Sequence, residues 1–314
     1  MPFAYQCALS IPGGATLAIL EYTLSSTAAY PTQLCQALSA LSHVLSLTSP
    51  KNVILAGDSA GAHLVAGTLS AVMHPEIPLF GLGESGSNRE NEAGLYANSE
   101  IVERIRRSLG DDQNGRVRWS ERLGGICLIS PMLSFDITKE SYTVNGSQDY
   151  LSSVSVNGFL ALLSPPSASP ASTSSLPFNF ASALSNPHLS PSDAPAGHWK
   201  DLPVSRILIT IGTNEVFQSS AIELWEVLTR ENGILELNAE TMIRSNQINT
   251  GKAQIQNQKA GGISEESNST KIEIELAKGE GEWHAAPIVD SLFWLKERPK
   301  GTKKAIIDWM ARTK

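Results

Sequence analysis

The sequence predicts an α/β fold, a mostly parallel sheet with helices on both faces. Three observations carry this expectation. Short apolar runs rich in Ile, Val and Leu, such as 206–211, recur along the chain. Most of them are followed by apolar residues at helical spacing, the alternation that builds a parallel sheet buried between helices. The length and composition fit one large domain with its own core: 314 residues, 41% hydrophobic and 18% charged. They suit neither a disordered chain nor an integral membrane protein.

Thr16 to Tyr22 reads as the first strand, entered through a turn at Pro12-Gly13-Gly14. Tyr30-Pro31 then opens a helix whose apolar side holds Leu34, Leu38, Leu41 and Leu45. The second strand, Asn52 to Ala56, runs straight into Gly57-Asp58-Ser59-Ala60-Gly61 and an apolar helix reaching Val72. Further strands read at Gly125 to Ile129, Arg206 to Ile211 and Lys271 to Leu276. A last helix, Thr302 to Ala311, places Ala305, Ile306, Trp309 and Met310 at helical spacing and is expected to dock on the sheet. All of 1–314 is taken as a single domain. It carries polar inserts at 81–113 and 238–269 and a lid-like region at 133–198. Within the first insert, Ser99 to Leu109 reads as a basic surface helix; the second has too little apolar content to fold and is expected to be disordered.

Charge and cysteine usage narrow the function classes. The net charge is −7, from 24 basic and 31 acidic residues, with no basic patch interleaved with aromatics, so nucleic acid is not an expected partner. Cys7, Cys35 and Cys127 give neither a disulfide framework nor a metal spacing, which points to a reducing, cytoplasmic setting. The segment after Met1 lacks a basic start, a sustained apolar run and a cleavage pattern, so no secretory route is expected. The sequons Asn145-Gly146-Ser147 and Asn268-Ser269-Thr270 matter only on such a route. No run approaches the roughly 20 apolar residues of a membrane span.

The chemistry-bearing motif is Gly57-Asp58-Ser59-Ala60-Gly61, a G-x-S-x-G nucleophile elbow between a strand and a helix. The serine must take a strained backbone conformation, and small residues at both flanks let strand and helix approach. The helix start then directs the Ala60 N–H toward a developing oxyanion. An ordinary Gly-rich turn that binds phosphate is the plainer alternative, but no P-loop lysine follows. A serine nucleophile needs a base, and the base needs an acid to orient it. His284 follows the last strand across a Gly-rich turn and is the expected base; His43, His63, His74, His188 and His198 lie in or beside helices or in the Pro/Ser-rich stretch. Glu215, just after the Arg206 to Ile211 strand, is the expected acid. Glu282 and Asp290 are rivals close to the base, in a poor position to orient its Nδ1. No cofactor and no metal are called for.

With these residues in place the chain resembles the hormone-sensitive-lipase-like branch of the α/β-hydrolases, particularly its fungal members. The resemblance rests on Gly57-Asp58-Ser59-Ala60-Gly61-Ala62-His63-Leu64, Leu20-Glu21-Tyr22-Thr23-Leu24 with Tyr30-Pro31, Ile129-Ser130-Pro131, Leu202-Pro203 and His284-Ala285-Ala286-Pro287. It implies cofactor-free hydrolysis of a small or medium apolar carboxylic ester, with Ser59 as nucleophile, His284 as base and Glu215 as acid, and by analogy a place in fungal secondary metabolism. Asp is the commoner acid in that branch, and Glu moves the carboxylate by one methylene. The branch also carries a His-Gly-Gly-Gly oxyanion motif and N-terminal strands without counterpart here, so an α/β-hydrolase sheet that is N-terminally incomplete is expected. That departure keeps a second reading open, a non-catalytic or inactive binding protein of the same fold. An amidase is a rival within the same chemistry.

Overall fold

The computed structural model describes residues 2–79, 99–111, 119–163, 185–232, 249–252, 272–292 and 300–313. Five strands form one sheet: β1 (Ile54–Asp58), β2 (Gly125–Ile129), β3 (Arg206–Gly212), β4 (Asn249–Lys252) and β5 (Glu273–Gly279), in the order β1-β2-β3-β5-β4. The first three and β5 run parallel, and β4 closes one edge antiparallel to β5. Because Asp58 pairs with Ile129, Ile129 with Thr210 and Gly212 with Gly279, the loops leaving β1, β2, β3 and β5 emerge along one edge of the sheet.

Period-two alternation divides the strand side chains between two cores. Cys127, Ile129, Leu208 and Ala277 face α1 (Pro2–Ser10) and the last helix, Gly301–Ala311, where Phe3, Cys7, Ile306 and Trp309 meet them. Ile126, Leu128, Ile207, Ile209, Ile274 and Leu276 face the larger core. That core also holds the buried side chains of α2 (Thr32–Leu47), which include Leu34, Leu38, Leu41 and Leu45, and of α3 (Ala60–Met73). Helices therefore cover both faces, as the sequence predicts.

Several expectations are corrected. Thr16 to Tyr22 is no strand: residues 14–24 have no ladder partner among the described residues, and Leu17, Ile19 and Leu20 are exposed. Apolar alternation fits a pleated surface only where a neighbouring strand completes the hydrogen bonds. Here the segment is tied near its end, by Gln36 accepting the Thr23 N–H and Gln33 donating to the Thr23 carbonyl. The strand expected at Asn52 starts instead at Ile54, after a 3-10 turn at Pro50–Asn52. The last parallel strand runs on to Gly279, beyond the expected Leu276.

The inserts are more integrated than their composition suggests. Helix α4 (Ser99–Ser108) falls in the first, but Val102, Ile105 and Leu109 are fully buried, and Arg106 pairs with Asp111 and donates to the Val72 carbonyl. Residues 249–252 of the second form β4, while the rest of that insert lies outside the described residues. The region 133–198, expected to be lid-like, supplies α5 (Glu140–Asn145), α6 (Ser153–Leu163) and a buried run from Asn186 to Ser192. After β3 comes α7 (Gln218–Glu231); after β5 come α8 (Ala286–Leu292) and α9 (Gly301–Ala311).

Candidate active site

Ser59 sits between the last residue of β1 and the first of α3, with φ 52° and ψ −116°. Such a conformation strains a residue with a Cβ, and it persists where its surroundings fix it. Its N–H donates to the Ile129 carbonyl at 2.9 Å, and its own carbonyl accepts the His63 N–H at 3.0 Å. The strand-to-helix crossing beneath it is tight, because a Cβ on Gly57 would lie 2.4 Å from the Gly61 carbonyl.

The structure brings the three residues expected at the site together. Ser59 Oγ lies 2.8 Å from His284 Nε2, and His284 Nδ1 lies 3.2 Å from Glu215 Oε2. An ionised carboxylate only accepts, so Glu215 takes the Nδ1–H and leaves the Nε2 lone pair to the Ser59 hydroxyl. The other carboxylate oxygen, Oε1, accepts from the Ser130 hydroxyl and the Gly212 N–H, each at 2.7 Å. Glu215 and His284 are buried, whereas Ser59 is half-buried and opens onto a cavity of about 150 Å³. Phe217 stands edge-on to the imidazole at 5.1 Å between centroids, and Tyr150 does so from another side at 5.7 Å.

Of the two rivals, only Glu282 has a described side chain, and it is placed elsewhere. Glu282 accepts the Thr302 N–H at 3.1 Å and its hydroxyl as well, capping the start of α9. The side chain of Asp290 lies outside the described residues. Ala60 is the first residue of α3, where an N–H has no intrahelical acceptor, and it lines the cavity beside Ser59 while remaining exposed. His63 also lines the cavity, with Nε2 2.8 Å from the Leu189 carbonyl, and burial lowers its pKa.

Residues that sequence reasoning missed surround the three. Ser130, with φ 45°, donates to Glu215 and accepts the Ala285 N–H at 3.0 Å, so one hydroxyl joins the acid to the loop of the base. Ala285 is itself at φ 54°. From α5, Ser141 donates to the Val216 carbonyl at 2.6 Å and Asn145 to the Glu215 carbonyl at 2.7 Å. Asn145 is thus buried and committed to the acid loop, although its sequence context is a sequon. The only signal in the sequence is the helical spacing of Ser141, Asn145 and Asp149, polar where a surface helix is polar anyway.

The cavity wall is mainly apolar: Leu34, Leu64, Met132, Phe159, Leu162 and Leu163 contribute, with Tyr22 and Tyr30. All three cysteines are free thiols, and burial raises Cys7 to about 11. Among the described residues no cluster of His, Cys, Asp or Glu suits a metal ion, and no helix is long and apolar enough to cross a membrane.

Comparison with known proteins bears on the fold. Residues 8–82 match a family model described as alpha/beta hydrolase fold. No curated protein sequence matches the chain. Among solved structures, a carboxyl esterase 2 from the mycorrhizal fungus Tuber melanosporum superposes with a TM-score of 0.59 at 14% identity, over 99% of this chain and 70% of the other. EstE5 soaked with p-nitrophenyl butyrate gives 0.57 at 16% identity, over 99% and 69%. An esterase from the bacterial hormone-sensitive lipase family gives 0.52 at 16% identity, over 94% and 64%. Sheet order, parallel register and these superpositions agree that the chain has the α/β-hydrolase fold.

Proposed function

We propose that the chain is a serine hydrolase of small or medium carboxylic esters. The observation that carries this reading is the continuous line from Glu215 through His284 to Ser59, at 3.2 and 2.8 Å, ending at the mouth of an apolar cavity. In this reading Ser59 Oγ attacks the ester carbonyl while His284 Nε2 takes its proton. The imidazolium then donates that proton to the departing alkoxide. Water adds to the acyl-enzyme by the same route, with His284 as base again, and the acid product leaves. Glu215 holds the imidazole in the required tautomer and balances its charge. The Ala60 N–H at the start of α3 supplies one donor to the oxyanion, where a single donor is typically worth about 10²–10³ in rate. Neither a cofactor nor a metal enters these steps.

A cavity of about 150 Å³ suits a group near the size of benzene, which favours short or compact acyl chains. The solved esterases of this fold support the ester over an amide as first choice. The exposure of Ala60 favours the second reading, a binding protein of this fold with little turnover.

The test is hydrolysis of p-nitrophenyl butyrate, together with covalent labelling by a fluorophosphonate, on wild type and Ser59→Ala. The reading requires turnover and labelling in the wild type and loss of both in the variant. Equal inertness of the two proteins would leave the binding reading in its place.

A further inference from the structure

Glu215 and His284 hang from two loops that leave neighbouring strands, and the side chains of both are inside the protein. Their alignment therefore depends on what fixes the loops against each other. Asp149, in the turn between α5 and α6, touches both. Its Oδ2 accepts the N–H of Val216, the residue after the acid, at 2.9 Å, and its Oδ1 accepts the N–H of His284 itself at 3.3 Å. We propose that Asp149 is a positioning residue whose carboxylate sets the acid loop and the base loop in register so that Glu215, His284 and Ser59 stay in line.

The chemistry singles out a carboxylate. Two backbone N–H groups from different loops point at one side chain, and only an ionised carboxyl presents an acceptor oxygen to each. An amide would offer one oxygen and turn its NH₂ against the other N–H. A local role is the weaker reading, since the Leu151 N–H approaches Oδ1 only at 3.5 Å, the longest of the three contacts. Ser141 and Asn145, about eight and four residues earlier, hold the acid loop alone through the carbonyls of Val216, Thr213 and Glu215. Asp149 adds the base loop to that grip. On the other side of the pair, Ser130 joins the Glu215 carboxylate to the Ala285 N–H. The loops also bond directly where they leave the sheet, Thr213 N–H to the Gly279 carbonyl and Asn214 N–H to the Glu282 carbonyl, each at 2.9 Å, but those bonds stop short of the two reacting side chains, which Asp149 and Ser130 bracket. Asp149 touches no reacting atom; it acts through backbone placement, and small misplacements of a catalytic group cost about 10²-fold in rate.

The kinetic consequence rests on the esterase reading above, whereas the geometric one does not. Asp149→Ala and Asp149→Asn are compared with wild type in p-nitrophenyl butyrate hydrolysis, fluorophosphonate labelling and thermal denaturation. The downfield proton NMR signal of the His284–Glu215 hydrogen bond is recorded for the same proteins. The alanine variant should lose about ten- to hundredfold in kcat and in labelling rate, with KM within about twofold. Asparagine, keeping one acceptor, should fall between alanine and wild type, and the downfield signal should weaken or vanish in the alanine variant. A kcat within about twofold of wild type, or a loss matching only the unfolded fraction while the downfield signal survives, overturns the proposal. Should wild type neither hydrolyse nor label, the esterase reading fails by itself. The NMR comparison then decides the role of Asp149: an unchanged signal in Asp149→Ala overturns it.

Discussion

Gly57 and Gly61 are not equivalent, although the elbow motif treats them as a pair. A Cβ on Gly57 would meet the carbonyl carbon and oxygen of Gly61 at 2.4 Å, while a Cβ on Gly61 would find nothing within 4 Å. The first glycine is required by the crossing of β1 and α3, and the second faces open space at the start of a helix. Gly57→Ala should therefore destabilise the protein by about 3 kcal/mol or prevent folding. Gly61→Ala should stay within about 1 kcal/mol of wild type, as alanine is the better helix former. Urea denaturation of both variants checks the asymmetry, and equal losses would contradict it.

Ser130 should matter to activity as well as stability. Ser130→Ala takes one of two donors from Glu215 Oε1 and leaves the Ala285 N–H without its acceptor in a buried site. The expected result is about 1–3 kcal/mol of lost stability and about a tenfold lower kcat on a p-nitrophenyl ester, with KM little changed. A variant with wild-type kcat would show that Glu215 needs no second anchor.

Acyl length should be limited by the cavity wall rather than by the line of reacting groups. With about 150 Å³ available, kcat/KM along a p-nitrophenyl ester series should rise to short chains and fall beyond those that fill a benzene-sized space. Phe159 forms part of that wall from α6 and is itself 39% exposed, so Phe159→Ala should open the cavity outward and move the optimum to longer chains. An unshifted optimum would place the acyl group elsewhere.

Acid should weaken the packing of α3 on the run from Asn186 to Trp199. Ser70 Oγ lies 2.7 Å from His188 Nδ1 and 2.8 Å from His198 Nε2, with His74 stacked on His198 at 4.0 Å and Glu76 beside His74. Burial, with like charge from His74, holds His188 down at about 4 and His198 at about 3. Both are therefore neutral in the folded protein at pH values where the unfolded chain, titrating near 6.5, takes up protons. The stability they contribute is complete above about pH 6.5 and is lost as pH falls toward about 4 for His188 and about 3 for His198. Urea midpoints at pH 7 and pH 5 should differ, and the difference should shrink in His188→Gln/His198→Gln. An unaltered difference in that double variant would assign the acid sensitivity to other groups.

Four of the strands were legible: Gly125–Ile129, which matches to the residue, and Arg206–Gly212 as continuous buried runs of β-branched and aliphatic residues, β1 as the apolar lead into the elbow, and β5 from Ile274 and Leu276 alternating with Glu. Thr16 to Tyr22 misled because its alternation is the same whether or not a neighbour completes the ladder. Ser59, Glu215 and His284 could be read from an elbow pattern and from their places after successive strands. Ser130, Asn145 and Asp149 could not. Their partners lie 85, 70 and 135 residues away, and two of the three act on backbone atoms, which leave no mark in side-chain identity. Composition likewise put the stretch around Asn186 and His188 in a Pro/Ser-rich, lid-like region, yet its polar side chains are held by bonds to Pro78, Leu79 and Ser70.

The strand that carries Ser59 is the outermost strand of the sheet among the described residues, with a neighbour on one flank only. Alternate peptide groups of Ile54–Asp58 therefore face away from β2, and Ala56 and Asp58 are exposed. Half of this strand's amide protons are shielded by the sheet and half are open to solvent exchange. The elbow is consequently a cantilever: its stiffness comes from β2, from the Ser59–Ile129 bond and from the body of α3. Amide exchange should read that asymmetry as alternate fast and slow residues along a single strand.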